Sequence, residues 1–357
     1  MVEAKKLNVG IIGAGSISKQ HLTHYSKNPN VNLIAISDLN EVLAKDRAEE
    51  YGLRYYTTDY QSLLADSTID AVSVATPTFT HCRIVIDALR AGKHVLCEKP
   101  PALNAQEAAQ CAEVANETGK LLMYGLVCRF GTETRYLKEK VAQGLFGKIL
   151  YAEASRVGRC SQLKGWFVDK SKAGGGMLDA TIHEVDACLD LMGYPKPVSV
   201  LCYTNYVNRD LPQRVKGVVE YYQSSDVNTY ERTVESMAAA LVTFENGACL
   251  HIKSGAIMNS VNTGAFMDIT AEKAGARFNR FGKELKMLEL KEDGSFEEYI
   301  PSFPDRKVAF QEEIDHFVDC CLNGTPCIIS PEQCVQLMKI MDACYKSAET
   351  GKPIIFE

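Results

Sequence analysis

Val9-Gly10-Ile11-Ile12-Gly13-Ala14-Gly15-Ser16-Ile17-Ser18 joins a short apolar run to the start of an amphipathic stretch. In a strand–turn–helix of this kind the first glycine, Gly13, makes the tight turn, and the second, Gly15, lets backbone approach a pyrophosphate. The pyrophosphate then rests on free N–H groups at the positive end of the helix that Ser16 and Ile17 open. Ser18 replaces the third glycine of the dinucleotide fingerprint, so the loop alone would also fit an ordinary glycine turn. Its surroundings add to it. The next strand-like run, Asn32–Ser37, ends at Asp38, about 25 positions downstream. A carboxylate there accepts hydrogen bonds from ribose hydroxyls and repels a 2′-phosphate. The expected cofactor is therefore NAD in preference to NADP.

Working outward, apolar runs at Leu7–Ile12, Asn32–Ser37, Asp70–Ala75, His94–Cys97 and Leu121–Gly125 are predicted as strands. Amphipathic stretches at Ile17–Lys27, Glu41–Tyr51, Thr78–Ala91 and Asn104–Thr118 are predicted as helices between them. The strand runs show little polar alternation, as in a parallel sheet covered on both faces. Repeated β-then-α units with short connections give a doubly wound α/β fold. After residue 126 the pattern changes. A helix near Thr132–Gln143, a strand near Lys148–Val157 and a helix near Met177–Met192 precede alternating stretches at Met237–Phe244, Ala248–Ser254, Phe266–Thr270 and Leu285–Leu290. These predict an antiparallel or mixed sheet with one face under helices. Helices over Phe310–Leu322 and Pro331–Ala348 close the chain, and Arg209–Arg232 is its least regular part. Two domains are expected, residues 1–126 and 127–357.

Composition bounds the function. The 357 residues are 46% apolar and 24% charged, with a net charge of −6, ordinary for a globular protein. A weakly acidic balance argues against nucleic acid or an anionic membrane as the main partner. No apolar run approaches a membrane span and the start lacks a signal peptide's apolar core, so a cytoplasmic protein is expected. The 13 cysteines are odd in number and contain no C-x-x-C pair. That pattern is neither a disulfide framework nor a zinc site, and reads as buried free thiols.

Two segments carry candidate chemistry. Gly92-Lys93-His94-Val95-Leu96-Cys97-Glu98-Lys99-Pro100 is a strand ending in an acid, a base and a proline. Carboxyl ends of strands face the ligand crevice in a doubly wound sheet, so Lys99 could meet a substrate oxygen there; an exposed turn is the plainer alternative. In Gly174-Gly175-Gly176-Met177-Leu178-Asp179-Ala180-Thr181-Ile182-His183-Glu184-Val185-Asp186, the residues Asp179, His183 and Asp186 fall at i, i+4 and i+7 of one predicted helix face. Histidine suits proton transfer near neutrality, and an aspartate one turn away can orient it. The same trio would fit a divalent ion or a solvated acidic first turn. The basic loop Arg156–Lys172, with Arg156, Arg159, Lys164, Trp166, Lys170 and Lys172, reads either as a pocket wall or as a solvated loop. In the first case Trp166 stacks on a sugar face and Arg156 binds polar groups.

Taken together, Gly13-Ala14-Gly15, Ala75-Thr76-Pro77 with His81, Gly92–Pro100, Gly174–Asp186 and the C-terminal Glu313–Val318 and Tyr345–Ala348 resemble the Gfo/Idh/MocA family of nicotinamide-dependent sugar and polyol oxidoreductases. The resemblance implies an N-terminal Rossmann domain and a C-terminal α/β domain with a large, mostly antiparallel sheet. It implies that Gly13, Gly15, Ser16 and Ile17 hold the pyrophosphate and Asp38 the ribose. Thr76, Pro77 and His81 would flank the cofactor, with Glu98 and Lys99 near its nicotinamide side and Arg129 beside cofactor and substrate. Lys99, Asp179 and His183 would be catalytic and touch substrate, with no metal. The phrase around His183 looks most like the inositol-dehydrogenase branch. The implied substrate is a neutral polyol or cyclic sugar, with a sugar acid or phosphate second, and the implied assembly is a homodimer or homotetramer. The same fold includes NAD-using glycosidases and a non-catalytic dinucleotide-binding regulator. An imine or tetrapyrrole reductase would share the first domain but need no Asp–His pair.

Overall fold

Leu7–Ile12 (β1) lies inside a parallel sheet, paired with Val31–Ser37 (β2) on one side and Ala71–Val74 (β4) on the other. A computed structural model describes residues 6–158, 165–206, 231–256, 260–280 and 283–357. Arg159, Lys164 and all of Arg209–Arg232 except Glu231 and Arg232 lie outside those described residues. With Tyr55–Thr57 (β3), His94–Glu98 (β5) and Leu122–Gly125 (β6), the strands run in the order β3-β2-β1-β4-β5-β6, the doubly wound Rossmann order. Every residue of β4 and β6 is buried, which explains their apolar, non-alternating sequences. The helix Glu41–Tyr51 starts where Asn40 accepts the Leu43 N–H and stops at left-handed Gly52; Ala105–Thr118 uses Asn104 and Gly119 in the same way.

Sequence periodicity missed β3 and the helix Tyr60–Ala65, because three- and six-residue elements span too few periods to register. The chain also returns to this first unit. Its described residues run through Val127 and resume at Val308–Met338, so the expected division at 126 marks only the first crossing. The helix Ala309–Asn323 packs on Ser16–Tyr25. There Phe310 stacks on the His24 ring, and Asn28 donates to Asp315 at 2.7 Å.

The second unit holds the described residues from Cys128 to Lys307 and Lys339–Glu357. Among them nine strands form one sheet. Ile149–Val157 (β7) and Cys249–Gly255 (β10) pair in parallel, and every other pairing is antiparallel. The remaining members are Pro197–Asn205 (β8), Met237–Phe244 (β9), Gly264–Ala271 (β11), Ala274–Asn279 (β12), Glu284–Leu290 (β13), Phe296–Tyr299 (β14) and Ile354–Ile355 (β15). The helix Ile182–Leu191 covers one face. On the other face, among the described residues, Leu201, Leu241, His251 and Glu153 stand in one cross-strand row.

The predicted helix Met177–Met192 is two helices, Gly176–Ala180 and Ile182–Leu191. Thr181 separates them at φ −93°, ψ −7°, in the sparsely allowed bridge region. Its hydroxyl donates to Ser254 of β10 at 2.7 Å. Asp179 therefore does not share one continuous helix face with His183 and Asp186, a correction that only this tertiary hydrogen bond could supply.

Candidate active site

The glycine loop is shaped by what surrounds it. Gly13 has φ +104°, and a Cβ there would lie 2.3 Å from the Ala75 carbonyl oxygen, so no other residue fits. Its N–H donates to Ser37 at 2.7 Å. The Ala14 N–H donates to Asp38 Oδ2 at 2.7 Å and the Asn40 N–H to Asp38 Oδ1 at 2.8 Å. Each Asp38 oxygen keeps capacity for a further donor such as a hydroxyl. Gly15 caps the helix Ser16–Tyr25 without a side-chain hydrogen bond to its first N–H groups, and a Cβ at Gly15 would meet nothing within 4 Å. Ser16 is exposed and Ile17 half-buried. Ser18, the departure from the fingerprint, is buried and donates its hydroxyl to the Gly15 carbonyl at 2.7 Å. An uncapped helix start, open space at Gly15 and a carboxylate at Asp38 fit a dinucleotide.

The ends of β4 and β5 are tied together beneath this loop. His81 is buried, with Nδ1 at 2.9 Å from the Pro100 carbonyl and Nε2 at 2.8 Å from that of Thr76. Burial pushes its pKa down, while the Thr76 and Pro100 carbonyls and the Glu98 charge oppose that shift. His81 thus holds the Thr76-Pro77 and Lys99-Pro100 turns against each other from below. Thr76 and Pro77 are half-buried and both accept the Thr80 hydroxyl. The Lys99-Pro100 peptide is cis, and Lys99 is half-buried at the strand's carboxyl end.

Glu98 is buried and fully engaged. Its Oε1 lies 2.8 Å from His21 Nε2, and its Oε2 accepts the Lys99 N–H at 3.1 Å. His21 Nδ1 meets Ser73 Oγ at 3.2 Å, and Ser73 meets the Tyr25 hydroxyl at 2.9 Å. Burial raises the Tyr25 pKa, so Tyr25 keeps its proton and can donate to Ser73. The chain Tyr25–Ser73–His21–Glu98 then ends on the Lys99 backbone. Glu313 adds a second acid: it is fully buried, and burial followed by the Glu98 charge pushes its carboxyl well above the usual range. Sequence reading missed Tyr25, Ser73, His21 and Glu313. His21 and Glu98 are 77 positions apart, and no local spacing links them.

In the second unit, the short helix bearing Asp179 is clamped at both ends. Gly175 has φ +133°, and a Cβ there would lie 2.1 Å from the Tyr345 hydroxyl oxygen. Tyr345 donates to Glu235 Oε1 at 2.8 Å and accepts the Leu178 N–H at 3.2 Å. Glu235 Oε1 also takes the Met177 N–H at 2.6 Å. Arg156 Nη1 donates to the Ala180 carbonyl at 2.9 Å and so holds the far end. Asp179 and His183 keep 9% and 8% of their surface open: buried, yet not sealed. No sequence signal marks Glu235, or Tyr345 as a clamp.

Arg129 is held by an acidic partner in the second unit. Its side chain is 1% exposed and grips Asp186 with two hydrogen bonds, at 2.9 Å and 2.6 Å. Tyr194 bonds both residues. Burial opposes the charge, but Asp186 more than offsets it and keeps the guanidinium protonated. Trp166 is half-buried and stacked on Phe167 with ring centres 3.8 Å apart. Among the described residues, no helix is long and apolar enough to cross a membrane.

Comparisons with known proteins agree with the fold. Residues 7–126 match the Gfo/Idh/MocA oxidoreductase family model for the NAD-binding Rossmann fold, and residues 138–356 match its C-terminal alpha/beta domain. A D-glucoside 3-dehydrogenase of Escherichia coli (strain K12) is 30% identical over 355 residues, 97% of this chain and 96% of that one. A scyllo-inositol 2-dehydrogenase (NAD(+)) of Bacillus subtilis (strain 168) is 26% identical, covering 98% and 96%. The solved levoglucosan dehydrogenase in complex with NADH and levoglucosan shares the fold, with a TM-score of 0.83 at 21% identity over 98% of this chain and 99% of that one.

Proposed function

Because the chain belongs to the Gfo/Idh/MocA oxidoreductase family, we propose that it oxidises a ring secondary alcohol of a glycoside, sugar or cyclitol, with NAD preferred over NADP. The observation that carries this reading is the clamped segment bearing Asp179. Gly175, Glu235, Tyr345 and Arg156 fix its backbone, while Asp179 and the following His183 stay marginally open. A protein that only binds dinucleotide has no use for such a device. The D-glucoside and inositol activities named for the two relatives support the substrate class.

In this reading His183 accepts the hydroxyl proton, Asp179 orients the imidazole and stabilises its charged form, and Lys99 hydrogen-bonds the oxygen as negative charge develops. Nicotinamide, when bound, supplies the redox chemistry by taking up the hydride. Gly13, Gly15, Ser16 and Ile17 face the pyrophosphate, Asp38 takes ribose hydroxyls, and Thr76 and Pro77 line the cofactor. His81 and Glu98 act by positioning those turns and Lys99. Trp166 offers a ring face to the sugar, and Arg156 holds the Asp179 segment. The open sheet face pairs with a second copy of the chain: Leu201, Tyr203 and Leu241 are 53%, 60% and 45% exposed there.

A panel of glycosides, aldoses, cyclitols, sugar acids and sugar phosphates, each with NAD and NADP, tests this reading by NADH absorbance. Turnover of a neutral cyclic polyol or glycoside, faster with NAD, is expected. Glycoside cleavage without NADH accumulation, or NAD binding without turnover of any alcohol, would overturn it. On the substrate so found, His183→Ala is expected to lower kcat by about 10²–10⁴-fold.

A further inference from the structure

We propose that His316, Cys320 and Cys327 form a zinc-binding site in the first unit, separate from the residues assigned to dehydrogenase chemistry. The site is built from one helix end and the loop after it. His316 and Cys320 lie at i and i+4 of the helix Ala309–Asn323 and share a face. Left-handed Gly324, at φ +70°, ends that helix and turns the chain back. Asp319 accepts hydrogen bonds from Asn323 and Thr325 and pins the return, which delivers Cys327 to the same face. One ligand atom from each of the three residues then lies within 4.8 Å of the others.

The spacing and the donor set favour zinc. His316 Nε2 lies 3.4 Å from Cys320 Sγ. Tetrahedral zinc, with Zn–S of about 2.3 Å and Zn–N of about 2.0–2.1 Å, separates such a pair by about 3.6 Å. That pair is already at ligand distance. Ile328 N–H, which can only donate, points at Nε2 from 3.2 Å. Nε2 therefore carries the lone pair, the ring proton sits on Nδ1, and the tautomer is the one a metal on Nε2 requires. Two sulfurs and an imidazole select a soft or borderline cation over magnesium or calcium. Asp319, the nearby carboxylate, is already committed to Asn323 and Thr325. Binding converts two thiols to thiolates and releases two protons, leaving a neutral Zn²⁺–bis-thiolate–imidazole unit. Three protein ligands leave a fourth position to water, and His316 and Cys327 are only half-buried, so ion and water can reach it.

The sequence offered no C-x-x-C pair, because the third ligand arrives from a loop whose path is set by Gly324 and Asp319. The test uses the full chain, stripped with chelator under reductant, incubated with zinc chloride and freed of unbound metal by gel filtration. About one zinc per chain is expected to be retained, with a rise in melting temperature. Cobalt loading should give the near-ultraviolet thiolate-to-metal absorption band. Cys327→Ser, on the half-buried loop, and His316→Gln should each abolish the band and the zinc-dependent rise while leaving the metal-free circular dichroism unchanged. Equal zinc uptake by wild type and both variants would overturn the site, as would a wild-type chain that retains none. A Cys320–Cys327 disulfide that survives reductant would overturn it as well.

Discussion

Glu313 shows how much a single residue is governed by its surroundings. It lies on the buried stripe of its helix with Ile314, Phe317 and Val318, where an aliphatic residue would be the ordinary choice. Burial and the Glu98 charge hold its carboxyl protonated in the folded state. A group whose folded pKa is raised contributes stability that is present below its unfolded pKa of about 4.3 and is lost as pH rises toward the folded value. Glu313→Gln, neutral at all pH, should therefore stabilise the protein at pH 8, by about 1–3 kcal/mol. The gain should shrink toward pH 5. Thermal melts of both proteins across that range would show it, and a pH-independent difference would contradict the protonated state. Glu98 makes the opposite point. Its place in the Glu98-Lys99-Pro100 motif was plain from the sequence, but its two partners, His21 and the Lys99 N–H, were not.

At the scale of elements, the turn Val127–Phe130 and the helix Ile182–Leu191 are fastened by Arg129 and Asp186. Removing one partner of a buried pair leaves an uncompensated charge. Arg129→Ala should cost about 3–5 kcal/mol in chemical denaturation, with the KM for NAD unchanged in the folded fraction. A raised KM with normal stability would instead restore the cofactor contact that the family resemblance implies. The break at Thr181 belongs to the same scale. The residues from Gly176 to Leu191 have helical periodicity throughout, yet the helix breaks at Thr181, whose hydroxyl donates to Ser254. Glu41–Tyr51 and Met237–Phe244 were legible to the residue, although the nine-residue strand Pro197–Asn205 was not. Short edge elements such as Tyr55–Thr57 were not, since their formation depends on a neighbouring strand already being in place.

At the scale of the molecule, the two sheets differ in what covers them. The parallel sheet is buried on both faces, as the fully buried β4 and β6 show. The larger sheet leaves Leu201, Tyr203 and Leu241 exposed, around a polar row in which His251 lies 3.4 Å from Glu153. Exposed apolar side chains on one sheet face are what the proposed pairing with a second copy would cover. Leu241→Asp, a charge placed in that row, should convert the assembled protein to monomer, with about half or less of the wild-type mass by light scattering. A wild-type chain that is itself monomeric, or a variant of unchanged mass, would refute pairing through this face.

The sequence by itself determined the two kinds of sheet and the glycine loop with Asp38. These depend on period, turn chemistry and residue type, which are local. Tertiary structure decided which side chains share a partner. It turned Arg129 toward Asp186, set Tyr345 and Glu235 on the Gly175 turn, drew His21 to Glu98, and brought Cys327 back to His316 and Cys320. Such pairings join residues far apart in the chain and follow from the packing of elements, which no spacing in the sequence encodes.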